Sequence, residues 1–137
     1  MTALHWAAYH EDVPLAKQLL KAGAHADAAN RYGVTPLSVA CTNGNAEIVA
    51  LLLEAGADAN TTKRGGETAL MTAARTGKPG PILALLSRGA KVNARDQKGQ
   101  TALMWAAAEG HADVVSALLA AGAEFKRALP SGFTPHS

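Results

Sequence analysis

The five histidines are the side chains of this sequence whose chemistry best suits catalysis or metal binding. They are His5, His10, His25, His111 and His136. His10 is followed directly by Glu11 and Asp12, but consecutive residues on a helix or turn point in different directions and make a poor metal site. No spacing fixes a Ser-His-Asp arrangement, and no GxxxxGK(S/T) phosphate loop occurs. We therefore expect no catalytic residue, no metal and no cofactor, and keep a hydrolase that uses His10 or His111 only as a remote alternative.

Charge and hydropathy exclude further classes of protein. The chain has 137 residues, room for about one domain, with 13 basic and 11 acidic residues. A net charge of +2 is too small to indicate nucleic-acid binding by itself. No apolar run approaches the roughly 20 residues of a membrane span, and the N-terminus lacks the basic and apolar regions of a signal peptide. We therefore expect no nucleic-acid partner, no membrane partner and a cytoplasmic location.

Four sequence registers recur with a period of 33 residues. A Thr-Ala/Pro-Leu phrase begins at Thr2, Thr35, Thr68 and Thr101, and another copy starts at Thr134. The other registers are the glycines Gly23, Gly56, Gly89 and Gly122, the glycines Gly33, Gly66, Gly99 and Gly132, and the leucine pairs that begin at Leu19, Leu52, Leu85 and Leu118. A period of this length indicates stacked structural repeats.

The sequence of each unit predicts two short helices and a projecting loop. In the second unit, Thr35 is a good N-cap and Pro36 suits the first helical position, which predicts a helix over 36–42. Gly44 then allows a tight turn, because glycine adopts positive φ at little cost. A second helix is predicted over 46–54, where apolar residues recur at helical spacing. An extended stretch and a glycine turn lead to the next threonine.

The units resemble ankyrin repeats, and the resemblance covers essentially the whole chain. The matching first-helix segments are TALHWAA, TPLSVAC, TALMTAA and TALMWAA, and the matching second-helix segments include EIVALLLEAGADAN and DVVSALLAAGAEF. The resemblance implies an all-α ankyrin-repeat solenoid of stacked helix-turn-helix units with projecting hairpin loops. It also implies a non-catalytic interaction module that binds a protein partner through its concave face and hairpin tips. The repeat sequences resemble those of bacterial ankyrin arrays more than those of animal ones.

The repeat register also predicts the domain organisation. We expect a single ankyrin-repeat domain over 1–137, with repeats at 2–34, 35–67, 68–100 and 101–133 and a stub of a fifth repeat at 134–137. The sequence starts and stops inside a repeat, and neither end shows the polar outer face of a capping unit, so we expect a fragment of a longer solenoid. This favours a second hypothesis, a structural spacer or targeting segment of a larger multidomain protein. A monomer or a weak end-to-end dimer is expected.

Several positions depart from the repeat pattern. Glu11 replaces the turn glycine of the first unit, so we expect a strained or reshaped turn there. In the third unit, Pro79 and Pro81 predict that the second helix starts late, at about Pro81, and is shorter or displaced. Lys126 replaces the usual loop asparagine of the fourth unit, which predicts a less regular loop. Cys41 replaces a small alanine of the motif, which predicts a buried thiol without reactivity.

The residues that the repeat does not dictate are the candidate partner-binding residues. They lie at the loop tips and at exposed positions of the first helices: Trp6, Tyr9, His10, Arg31, Tyr32, Thr42, Asn43, Arg64, Glu67, Arg75, Gln97, Lys98, Trp105 and Glu109. Tryptophan and tyrosine are enriched in binding hot spots, yet Trp6 and Trp105 suit packing between adjacent first helices equally well, and both interpretations stay open. Tips and groove carry six basic residues against three acidic ones, which favours a partner with an acidic segment. An ordinary solvated surface is the alternative.

Overall fold

Eight α-helices build the part of the chain that the structure describes, residues 1–124 of a computed structural model. They are α1 Ala3–Tyr9, α2 Val13–Lys21, α3 Pro36–Asn43, α4 Ala46–Glu54, α5 Ala69–Thr76, α6 Pro79–Ser87, α7 Ala102–Ala108 and α8 Ala112–Ala120. A short 3-10 turn at Arg64–Gly66 and an isolated bridge between Thr62 and Thr68 shape the loop before α5. The prediction of an all-α fold is confirmed.

The helices pack in two rows. The first helices of the units, α1, α3, α5 and α7, contact one another in order, and so do the second helices, α2, α4, α6 and α8. Each first helix also packs on the second helix of its own unit. Each unit therefore contacts its neighbours in the stack, as in a solenoid. Within residues 1–124, none of the helices is long and apolar enough to cross a bilayer.

Threonine begins each first helix, as the sequence predicts. The Thr35 hydroxyl accepts the backbone N–H of Ser38 at 3.2 Å, and it satisfies one of the N–H groups that have no partner at a helix start. The equivalent caps are Thr2, Thr68 and Thr101. Pro36 occupies the first position of α3, which ends at Asn43, one residue beyond the predicted 36–42, and α4 has the predicted bounds.

Small and medium apolar residues fill the space within and between the units. Leucines at equivalent positions of the first helices are buried, namely Leu4, Leu37, Leu70 and Leu103. Cys41 is also completely buried, and this burial raises the pKa of its thiol to about 12. The thiol is therefore protonated at neutral pH and lacks the thiolate that reacts. The predicted burial of Cys41 is confirmed.

The prediction that the second helix of the third unit starts late is wrong. Helix α6 begins at Pro79 and has nine residues, the same length as α2, α4 and α8. Pro79 and Pro81 lie in its first turn, where backbone N–H groups have no partner within the helix, so two prolines are tolerated there. Gly80 lies between them and packs against Ala46 of the preceding unit. The row of second helices is continuous at this point.

The turn between α1 and α2 is strained, as expected. Glu11 has a φ of +54°, in the left-handed region that disfavours residues with a Cβ, and Asn45 donates a hydrogen bond to its carboxylate at 3.2 Å. Other expectations lie outside the described residues: the irregular loop at Lys126, the end of the repeat at 101–133 and the stub at 134–137. The division into repeats therefore stays a prediction.

Candidate functional site

The loop tips and the first helices share one surface. Tip residues from 64–67 and 97–100 line the same hollow as Trp105 of α7. We call this surface the first-helix face: the exposed residues of α1, α3, α5 and α7 together with the tips at 31–34, 64–67 and 97–100. The predicted partner-binding residues come from this face, and the structure gathers most of them into three clusters and two hollows.

The first cluster is aromatic and belongs to α1. The Trp6 and Tyr9 rings meet edge to face with centroids 5.8 Å apart, and the His10 ring stacks on Trp6 at 6.0 Å. All three side chains are exposed, Trp6 by 49% and Tyr9 by 56%. Aromatic rings in these arrangements hold one another in place while keeping large apolar areas open to a partner.

The second cluster joins two neighbouring tips. The guanidinium groups of Arg31 and Arg64 lie 5.8 Å and 5.7 Å from the centroid of the Tyr32 ring, within the range of cation–π attraction. Tyr32 itself is 53% exposed. Because Arg64 belongs to the following unit, this cluster connects adjacent tips through their side chains and presents two positive charges beside an aromatic ring.

The third cluster is centred on the Glu67 carboxylate. It accepts hydrogen bonds from the Thr72 hydroxyl and the Arg75 guanidinium, and Lys63 Nζ lies 3.3 Å away. Burial is the largest single influence and would raise the pKa of Glu67, but the Thr72 bond and the charges of Lys63 and Arg75 together outweigh it. The pKa of Glu67 is therefore held below its ordinary value of 4.5. Arg75 also lies over the Trp105 ring at 5.1 Å.

Two hollows lie on either side of this third cluster. One, of about 300 Å³, is lined by Arg64, Gly65, Glu67, Asp96, Gln97, Lys98, Gln100 and Trp105. The other, of about 520 Å³, lies between α3 and α5 and is lined by Thr42, Asn43, Thr72, Arg75, Thr76 and Lys78. Glu67 lines the first hollow, Arg75 lines the second, and the two side chains form an ion pair. Glu109 is exposed at the end of α7 and lines neither hollow.

This geometry agrees with comparison to known families. The chain matches the family described as ankyrin repeats (3 copies) over residues 1–63 and 55–128. It belongs to the ankyrin repeat family. No curated protein matches the chain significantly. Ankyrin repeats are generally protein–protein interaction modules and are typically not catalytic.

The two tryptophans of the ankyrin array have different surroundings, although they occupy the same position of the repeat. Trp105 is partly buried, packs against the hydrophobic core and is covered by Arg75. Its indole Nε1 is buried without a hydrogen-bond partner among the described residues. Trp6 is about half exposed. The core interpretation therefore fits Trp105, and the exposed-surface interpretation fits Trp6.

Several cations of the face are already held by contacts within the ankyrin array. Glu67 pairs with both Lys63 and Arg75, and Arg95 donates to the Gly99 carbonyl oxygen at 3.0 Å. Asn43, predicted as a contact residue, uses its amide N–H₂ to join α3 to α1, since it donates to the carbonyl oxygens of Ala8 and Tyr9. The face thus contains both available side chains and side chains already committed to the fold.

Sequence reasoning missed Thr72 and Lys78, which line the larger hollow. A signal for Lys78 was present, because it precedes α6 at the N-cap position, where Asp12 and Asn45 precede α2 and α4. Those two side chains accept a backbone hydrogen bond, whereas an ammonium group has no acceptor. Lys78 therefore has no capping role, unlike Asp12 and Asn45, and His111 before α8 makes no side-chain cap either.

Two of the histidines, His5 and His111, support the fold. His5 is completely buried, and its Nε2–H donates to the Val34 carbonyl oxygen at 2.8 Å. His111 covers the turn at Gly77, and its Nε2–H donates to the Arg75 carbonyl oxygen at 2.9 Å. Across residues 1–124, no three side chains of His, Cys, Asp or Glu come together in a way that could hold a metal ion.

Proposed function

We propose that this ankyrin array is a non-catalytic binding module that holds a protein partner on its first-helix face. The observation that carries the proposal is the placement of the exposed aromatic residues. Of the four Trp and Tyr residues in the described chain, three are about half exposed, and all three, Trp6, Tyr9 and Tyr32, lie on this face. Large aromatic side chains at the surface are the residues that most often dominate binding energy.

The tips are organised before a partner arrives, which supports the same proposal. Asn30 Oδ1 accepts the backbone N–H groups of Tyr32 and Val34, and Asp96 Oδ1 does the same for Lys98 and Gln100. Adjacent tips are also joined directly, because the Gln97 N–H donates to the Gly65 carbonyl oxygen at 2.8 Å. A partner that binds such tips orders little new backbone, and association therefore loses little conformational entropy.

The charge of the face defines the partner further. Arg31 and Arg64 flank Tyr32, and Lys98 is exposed on the next tip. Fixed positive charges at a rim attract an oppositely charged partner and orient it during encounter. We propose a protein partner with an acidic segment, bound by the tips and the first helices together.

The proposal is tested with two triple variants, each of which removes one large apolar or aromatic side chain and two cations, but from different faces. Tyr32→Ala/Arg64→Ala/Arg75→Ala removes an aromatic side chain and two cations from the first-helix face. Leu83→Ala/Lys21→Ala/Arg88→Ala removes an exposed apolar side chain and two cations from the second-helix row. Both proteins and the wild type serve as bait for affinity capture, after circular dichroism has shown that each is folded.

We expect the partner to be retained by the wild type and by the second-helix variant and lost by the first-helix variant, and the loss to be greatest at low salt. Equal retention by both variants would contradict the placement of the binding face. Capture of no partner by the wild type would favour the structural spacer or targeting segment instead.

A further inference from the structure

The hollow between α3 and α5 has an unusual set of side chains. Its lining contains two cations, Arg75 and Lys78, three threonine hydroxyls and the amide of Asn43, and it contains no carboxylate. The volume of about 520 Å³ is large enough for one extended acidic side chain and the backbone that carries it. The composition of this hollow differs from that of its neighbour, which contains Glu67 and Asp96.

The hydrogen-bond donors of the neutral lining residues are already used. The hydroxyl groups of Thr42 and Thr76 donate to the carbonyl oxygens of Ser38 and Ala73, at 2.9 Å and 2.8 Å. The Thr72 hydroxyl donates to Glu67, and the Asn43 amide donates to α1. The donors that remain for a ligand therefore belong to the two cations, and a ligand of this hollow is one that cations prefer.

Lys78 is exposed and lines the hollow. Its aliphatic stem lies against the turn at Gly44 so closely that a Cβ at Gly44 would be 2.7 Å from Lys78 Cδ. The backbone N–H of Lys78 donates to Thr76 Oγ1 at 3.3 Å. Within residues 1–124, no carboxylate forms an ion pair with its ammonium group. The charge of Lys78 is thus positioned by packing and is not neutralised by the fold.

Arg75 is only partly neutralised. Its carboxylate partner, Glu67, also pairs with Lys63 and accepts the Thr72 hydroxyl. Glu67 therefore supplies one negative charge to two cations, and with Lys78, which lines the same hollow as Arg75, these four side chains have a net charge of about +2. A second carboxylate bound between Arg75 and Lys78 would bring the local charge closer to zero.

We propose that the hollow between α3 and α5 is a subsite for a glutamate or aspartate side chain of an acidic peptide segment, with Arg75 and Lys78 as its two ligands. This inference rests on the proposed function and names the anchor point of the partner. A carboxylate has only acceptors, which matches a site whose free donors are cationic. One guanidinium nitrogen of Arg75 already binds Glu67, so its remaining N–H groups donate to the bound carboxylate, and the Lys78 ammonium binds from the rim.

The experiment uses two peptides and two variants. Isotope-labelled protein is titrated with acetylated hexaglutamate amide and, in parallel, with hexaglutamine, while backbone amide shifts are followed by NMR. Lys78→Met removes the charge and keeps an aliphatic stem over Gly44. Lys21→Met makes the same change at an exposed position of α2, on the opposite row. Both variants are compared with the wild type at the same ionic strength.

We expect hexaglutamate to move the amides of residues 42–44 and 75–78, and hexaglutamine to leave them in place. Lys78→Met should weaken hexaglutamate binding about twofold to fivefold, as for the loss of one exposed ion pair, and Lys21→Met should leave it unchanged. The proposal is overturned by an absence of shifts, by shifts centred elsewhere, by equal shifts with hexaglutamine, or by equal affinity of Lys78→Met. Such a result would still be compatible with the proposed function if the Tyr32→Ala/Arg64→Ala/Arg75→Ala variant lost its partner in affinity capture.

Discussion

At the scale of single residues, the clearest departure from the repeat is the backbone of Glu11. The turn glycines Gly44, Gly77 and Gly110 have φ values of +72°, +78° and +74°, and Glu11 adopts a similar conformation with a side chain. A Cβ in this region meets the neighbouring carbonyl oxygen, which costs roughly 1–2 kcal/mol. The hydrogen bond from Asn45 offsets part of that strain.

Replacing Glu11 with glycine should therefore stabilise the protein. We expect Glu11→Gly to raise the free energy of unfolding by about 0.5–1 kcal/mol, because relief of strain exceeds the larger chain entropy of glycine and the loss of the exposed Asn45 bond. Chemical denaturation measures the change. Glu11→Ala is the matched control: it loses the same bond, keeps the strain and should not stabilise. A stabilising alanine would contradict this account.

Glu67 is the second residue whose surroundings have a measurable consequence. Its folded-state pKa is lowered, so its ionised form stabilises the fold at every pH above about 4.5, and this contribution is lost as the pH falls through the folded-state value. Glu67→Gln should lower the free energy of unfolding by about 1 kcal/mol at pH 7, since it breaks partly exposed ion pairs with Lys63 and Arg75.

The pH dependence gives the decisive comparison for Glu67. The difference in the free energy of unfolding between wild type and Glu67→Gln should narrow at pH 3, because this pH lies below the ordinary pKa of 4.5 and the carboxyl of the unfolded chain is then mostly protonated. Denaturation curves at pH 7 and pH 3 measure it, and Glu109→Gln, which removes an exposed carboxylate on the same face, should change little at either pH. A gap that stays constant between the two pH values would show that the ion pairs do not stabilise the fold.

At the scale of elements, α6 shows how two prolines are accommodated without shortening a helix. Pro79 and Pro81 both fall in the first turn, and Gly80 between them faces Ala46 of α4. A Cβ added at Gly80 would lie 2.8 Å from the Cβ of Ala46, which is too close for two carbon atoms that are not bonded to each other. The glycine therefore permits the close contact of α6 with α4.

Gly80→Ala should destabilise the protein, although alanine normally favours a helix. We expect a loss of about 1–2 kcal/mol from overpacking against Ala46, larger than the roughly 1 kcal/mol that alanine contributes through helix propensity. Thermal or chemical denaturation measures the change. The same substitution in an Ala46→Gly background should cost less or become stabilising, because the opposing methyl group is then absent. An equal cost in both backgrounds would rule out the contact as the cause.

The elements also show what the sequence could and could not predict. Helix starts at threonine and turns at glycine were predicted correctly, because capping and positive φ are decided by the residue and its near neighbours. The predicted start of α6 is wrong, because a proline interrupts a helix only in its interior, and both Pro79 and Pro81 fall in the first turn. The hollow at Arg75 and Lys78 was out of reach, because it depends on side-chain conformations and on contacts between units.

At the scale of the whole molecule, stability comes from interfaces between neighbouring units, and an inner unit supports both of its neighbours. Leu53 of α4 is a suitable probe, since it is only 5% exposed and belongs to the second unit. Leu53→Ala should lower the free energy of unfolding by about 2–5 kcal/mol, as for other large-to-small core substitutions. A loss below about 0.5 kcal/mol in denaturation would contradict its role in the core. Leu83→Ala, at a 57% exposed position of α6, is the control and should change little.

The two tryptophans give this experiment a readout for each end of the array. Trp6 lies in α1 and Trp105 lies in α7. The fluorescence of a Trp105→Phe protein therefore reports the N-terminal end through Trp6, and that of a Trp6→Phe protein reports the other end through Trp105. In the absence of any other substitution, the unfolding midpoints of the two ends should coincide. When Leu53→Ala is added, we expect the midpoint reported by Trp6 to fall further than the midpoint reported by Trp105. Midpoints that remain together would show that the weakened second unit still couples the ends.

The contact between Gly80 and Ala46 has a consequence for how such a chain can change during evolution. Because the period is strictly 33 residues, recombination can delete or duplicate a whole unit and leave the register of the remaining repeats intact. Loss of residues 35–67, however, would place Val13 where Ala46 now faces Gly80, since Val13 is 33 residues before Ala46. A larger, branched side chain would then meet a surface shaped for a methyl group. The units are alike in plan but are matched to particular neighbours, so their order is inherited together with their sequences.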